Sequence, residues 1–144
     1  MTHAETPLVN WSTFAETRSA LGADFVRILG YFREDGTKSV ADIEEAMRAS
    51  DAAKLVIPAH TLKGESAQFG AERLAAVAEQ IEMVARRCVE LRQQPDELLQ
   101  AVVMLRELFE QSLQALEKET NPLVQRRTFG RRKEEPVDTS FGRV

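Results

Sequence analysis

The 144-residue chain has one cysteine, one tryptophan, one tyrosine and two histidines, and no apolar run approaching the roughly 20 residues that a membrane-spanning helix needs. Each shortage excludes something. The lone thiol, Cys88, cannot form an internal disulfide, and its place on an apolar helical stripe marks it as buried and inert. One cysteine and one well-placed histidine cannot furnish the closed ligand set that zinc requires, so no metal is expected. The opening MTHAETPLVNW has no basic stretch followed by an apolar one, which argues against a secretory signal and for a cytoplasmic protein. No segment alternates with the period of two expected of strands. No glycine-rich nucleotide loop is present either.

What is present is ordinary for a soluble globular domain: 43% apolar and 29% charged residues, with a net charge of −4. The charge is uneven. Residues 119–144 carry six Arg or Lys against four Asp or Glu, so 1–118 is the acidic part. An acidic body argues against nucleic acid as its partner, because such binding depends on cations that meet phosphates.

Periodicity then assigns the body to helix. Leu55, Ala59, Leu62, Ser66 and Phe69 alternate spacings of four and three, which puts them on one face. Leu74, Val77, Ile81, Val84, Cys88 and Leu91 form a second stripe, and Leu98, Val102, Leu105, Phe109, Ser112 and Leu116 a third. Upstream, Phe25, Leu29, Phe32, Ile43 and Met47 outline a long helix over about 22–49, after a short one bearing Trp11, Phe14 and Leu21. Gly22, Asp51, Gly70 and Pro95-Asp96 punctuate the joins, with glycine suited to a left-handed helix end and aspartate to a cap. Short joins make neighbours antiparallel. The expected fold is all-α: an up-down-up-down four-helix bundle over 1–118 with a short N-terminal helix, followed by a disordered tail over 119–144. The basic cluster Arg126, Arg127, Arg131, Arg132 and Lys133 reads as part of a solvated tail. Gly36 and Pro58 fall inside helices, and Pro58 is expected to kink its helix by removing a donor to the Lys54 carbonyl.

His3 sits at the terminus, which leaves His60 as the histidine with a setting. It follows the core residue Ala59 by one position, a rotation of about 100°, so its ring faces sideways toward solvent. Val56, Lys63, Gly64 and Ala67 lie one to two turns away on the same side. A neutral imidazole is a competent nucleophile near pH 7 and can carry a phosphoryl group without a metal of its own. Lys63, one turn on, can stabilise phosphoryl charge, and Gly64 leaves clearance around the ring at a cost of roughly 0.5–1 kcal/mol of helix propensity. Ser66, on the inward stripe, is expected to bond a backbone carbonyl one turn back.

The segment His60-Thr61-Leu62-Lys63-Gly64-Glu65-Ser66-Ala67-Gln68-Phe69-Gly70-Ala71 resembles the signature HxLKGxSxxxGA of histidine-containing phosphotransfer (HPt) domains at every fixed position. A weaker similarity extends over about 8–116. The resemblance implies a four-helix core, phosphorylation of His60, supporting roles for Lys63 and Gly64, and a hydrogen bond from Gln68. It also implies response-regulator receiver domains as partners, including those of hybrid sensor kinases, whose own aspartate and Mg²⁺ complete the chemistry. No cofactor of the chain's own, no ATP-dependent kinase activity, no membrane and no nucleic acid are expected. Glu65 and Pro58 depart from the usual pattern and bear on local geometry and partner choice. The competing readings are a non-catalytic helical adaptor that binds receivers without carrying phosphate, and a dimeric phosphotransfer domain like that of sensor kinases. Four long amphipathic helices in one chain favour a monomer over the latter.

Overall fold

The computed structural model describes residues 5–120. Within them lie α1 (Trp11–Leu21), α2 (Phe25–Arg48), α3 (Ala52–Gln68), α4 (Glu72–Leu91) and α5 (Leu99–Thr120), with 3-10 turns at Gly22–Asp24 and Asp96–Leu98 and no strand among the described residues. The four long helices form the antiparallel bundle, and α1 precedes it. The chain divides into two units, Met1–Leu113 and Gln114–Val144. Of the second, the described residues continue α5 to Thr120, whose Oγ1 donates to the Glu117 carbonyl at 2.9 Å. His3 and the basic cluster of the tail lie outside the described residues.

The helix ends follow from their residues. Asn10 caps α1, its side-chain oxygen accepting from Ser12 N and Thr13 N at 3.0 and 3.1 Å. Gly22 closes the same helix at φ +54°. Asp51 caps α3 by accepting from Lys54 N at 3.2 Å. At the other end of α3, Gly70 takes φ +81°, which lets Ala71 N donate to Ser66 O at 2.9 Å and Gly70 N to Ala67 O at 3.1 Å. Asp96 does not cap with its side chain. It opens the 3-10 turn instead, closed by Leu98 N donating to Pro95 O at 2.9 Å.

Neither interior breaker interrupts its helix. Pro58 lies within α3 and Gly36 within α2. Gly36 is buried, and a Cβ there would stand 2.7 Å from Cζ of Phe109, so the glycine admits the α5 ring against α2. That ring ends a string of aromatic contacts: Phe14 meets Phe25 at 5.3 Å, Phe25 meets Phe69 at 5.7 Å, Phe69 stacks on Phe32 at 5.4 Å, and Phe32 meets Phe109 at 5.8 Å. Such pairs add about 0.5–1.5 kcal/mol each beyond their buried area. The α4 stripe drifts from the expected one. Ala78, Glu82 and Ala85 are buried with Val77, Ile81 and Cys88, while Leu91 is 55% exposed.

A clasp fixes the α3–α4 turn below the site. Asn10 N donates to the Gly70 carbonyl at 2.7 Å, Asn10 Nδ2 to Glu72 Oε2 at 2.8 Å, and Thr17 Oγ1 to the Gln68 carbonyl at 2.6 Å. A Cβ on Gly70 would lie 2.6 Å from the Asn10 carbonyl oxygen, so both the conformation and the close approach call for glycine there.

Candidate functional site

His60 lies on the outer flank of α3, where the core stripe of Leu55, Ala59, Leu62 and Ser66 turns the neighbouring positions toward solvent. Its side chain is 61% exposed. The inner edge of the ring is tied down: Nδ1 stands 2.9 Å from Oε2 of Glu82 on α4. Glu82 is itself buried, at 4% exposure, and its two oxygens gather three partners. Lys63 Nζ lies 2.8 Å from Oε1, and Arg86 brings Nε and Nη2 to Oε2 at 3.0 and 2.8 Å.

The charges gathered around Glu82 hold it ionised. Burial raises the Glu82 carboxyl, but the bonds from Lys63, Arg86 and His60 outweigh it and bring the group down to about 2. Glu82 is therefore a carboxylate at neutral pH and can only accept hydrogen bonds. It follows that Nδ1 carries the hydrogen and donates. In the neutral ring the lone pair then belongs to Nε2, so the arrangement selects one tautomer and leaves one nucleophilic nitrogen.

The other residues singled out from sequence fall as follows. Lys63 is only 32% exposed and is engaged by the buried carboxylate, where a free cation on an outer face was expected. Gly64 is exposed, and apart from its own stretch of helix an added Cβ would meet no described atom within 4 Å, so packing against another helix does not account for it. Gln68 is exposed on the last turn of α3, some eight residues and about 12 Å of helix rise beyond His60. It is not brought into the cluster. Ser66 is buried with no hydrogen-bond partner for its hydroxyl among the described residues. Ser112 makes the expected type of bond instead, donating to the Leu108 carbonyl at 2.8 Å.

Glu82 and Arg86 are the residues that sequence reasoning passed over. A signal for the first existed: Glu82 stands four residues after Ala78 and three before Ala85, an acid within a buried stripe. Buried acids are rare unless paired. Among the described residues no three His, Cys, Asp or Glu side chains gather as a metal site, and no helix is long and apolar enough to cross a membrane.

No curated protein sequence matches the chain. Among solved structures, the crystal structure of histidine-containing phosphotransfer protein B (HptB) from Pseudomonas aeruginosa PAO1 is similar, with a TM-score of 0.68 over 85% of this chain and 98% of that one. At 24% identity that likeness speaks for the fold. The family model of the Hpt domain matches residues 27–119, a stretch that holds His60, Lys63, Gly64 and Glu82. With most of its length matched in this way, the chain belongs to the Hpt domain family, whose members act in histidine phosphotransfer.

Proposed function

We propose that this chain is a phosphocarrier that accepts a phosphoryl group on His60 from the aspartyl phosphate of one receiver domain and passes it to another. The observation that carries this reading is the exposed ring whose Nδ1 is held by a buried, ionised carboxylate. The Nε2 lone pair forms a bond to phosphorus as the bond to the aspartyl oxygen breaks, and that oxygen leaves with its electron pair as the receiver's carboxylate. Positive charge develops on the ring. Glu82, accepting from Nδ1, stabilises it much as a buried carboxylate supports a histidine in acyl transfer. Lys63 carries three donors, so one N–H can stay on Glu82 while another turns to a phosphoryl oxygen in the loose transition state. Gly64 leaves the receiver room to approach, and Gln68 meets the partner rather than the ring. The receiver supplies Mg²⁺ and the phosphorylated aspartate. The chain acts as a cytoplasmic monomer with no kinase activity of its own.

The test is incubation with phosphorylated receiver domains, followed by mapping of acid-labile, base-stable phosphate. Wild type takes the label on His60, and His60→Gln takes none while keeping its helical content. A wild-type chain that binds receivers but never acquires label is a helical adaptor, and label retained in His60→Gln would move the site elsewhere.

A further inference from the structure

Arg86 is exposed over 58% of its side chain and could extend into solvent, yet both of its hydrogen-bonding nitrogens meet Glu82 Oε2, the same oxygen that receives His60 Nδ1. We infer that Arg86 is a positioning residue of this site, acting through Glu82 to keep the His60 ring neutral and its Nε2 lone pair free near neutral pH. The inference rests on the reading of His60 as the phosphoacceptor.

Charge balance governs the ring. A bare carboxylate beside an imidazole favours the imidazolium, whose Nε2 bears a proton and cannot attack phosphorus. That effect is strongest when the carboxylate is buried, because water screens it least. Among the described residues, the titratable groups that reach Glu82 are Lys63 and His60 from α3 and Arg86 from its own helix. Lys63 alone would balance the carboxylate. Arg86 adds a second full cation, so the cluster carries a net positive charge beside the neutral ring and opposes a third. Placement sharpens the effect, since Lys63 takes Oε1 while Arg86 draws on the very oxygen that would hold the imidazolium. Glu82 thus stays close enough to fix the tautomer without drawing a second proton onto the ring.

The experiment compares wild type, Arg86→Gln and Arg86→Lys as full chains. Side-chain ¹⁵N NMR of His60 at pH 6.5 reads the charged fraction of the ring. Labelling by phosphoramidate, whose P–N bond breaks to release ammonia as the bond to Nε2 forms, reads the pH–rate profile with no partner protein present. Arg86→Gln should show a larger imidazolium fraction, with the acid limb of the rate profile moved up by about half to one pH unit, less at high salt. Arg86→Lys should restore both. Wild-type NMR fractions and an unmoved acid limb in Arg86→Gln would overturn the inference, as would Arg86→Lys behaving like Arg86→Gln, which would make the fork geometry and not the charge the cause. The function reading fails separately, if wild-type His60 takes no label, and the NMR comparison stands without it.

Discussion

At Gly64 the exposed face of α3 forgoes roughly 0.5–1 kcal/mol of helix propensity, although no described atom beyond its own stretch of helix lies within 4 Å of where a Cβ would be. With that space open, Gly64→Ala should raise stability by up to about 1 kcal/mol and still slow phosphotransfer, as melting temperature and transfer rate on one sample will tell. A destabilised variant with a normal rate would contradict the clearance role. Lys63 is the opposite case. Because its partner is buried, Lys63→Ala should cost on the order of 1–3 kcal/mol besides slowing transfer, more than a solvated lysine would. A loss under about 0.5 kcal/mol by denaturant titration would mean the pair is effectively solvated. The contrast shows how far the site is legible in the sequence. His60, Lys63 and Gly64 share one helix, so their spacing fixes their common flank. Glu82 and Arg86 come from α4, and the register of one helix against another depends on side-chain packing that periodicity does not encode.

Among the helices, two ends are held by residues that dislike the conformation they adopt. Ser50 sits at φ +51° after α2 and Arg92 at φ +54° after α4, in the place that Gly70 fills after α3. The bonds are the same: Asp51 N donates to Ala46 O at 2.9 Å and Gln93 N to Cys88 O at 2.8 Å, so capping carries the strain of a left-handed residue. Arg92→Gly should therefore stabilise by about 0.5–1 kcal/mol, read as a higher denaturant midpoint with unchanged slope. Gly36→Ala should do the reverse, costing about 1–3 kcal/mol as the new methyl displaces Phe109. These positions also mark what the pattern of residues could tell. The long helices and the Gly22, Asp51 and Gly70 joins were readable because stripes and caps are local. The left-handed Ser50 and Arg92 were not, since nothing in either residue type announces the conformation. The α4 stripe departs from the pattern at Val84 and Leu91 because the small Ala78 and Ala85 are fully buried in their place, and alanine carries little hydrophobic signal in a sequence.

For the molecule as a whole, two glutamates give stability a pH dependence of opposite sign. Burial first, then the charge of Asp35 and a hydrogen bond with it, raise the Glu65 carboxyl to about 7, and its Oε1 is the oxygen left buried with no partner among the described residues. Folding therefore favours the protonated form, and stability falls as pH rises from the unfolded value of 4.5 to about 7. Glu82, held down at about 2, behaves the other way: its contribution is complete above 4.5 and is lost as pH falls from there toward 2. The Glu82 swing has an upper limit of about 3 kcal/mol, and screening of its partly exposed partners lowers that figure. These two groups by themselves favour the fold most near pH 4.5–5, on the acid side of neutral. Glu65→Gln should flatten the decline between pH 5 and 7 and leave the acid limb as it was. Glu82→Gln should lower stability at neutral pH, since Lys63 and Arg86 lose their counter-charge, while reducing the further loss below pH 4.5. Melting curves of the three proteins from pH 3 to 8 check both signs at once. A wild-type curve that still climbs from pH 5 to 7 would show that the Asp35–Glu65 pair holds no proton in the fold.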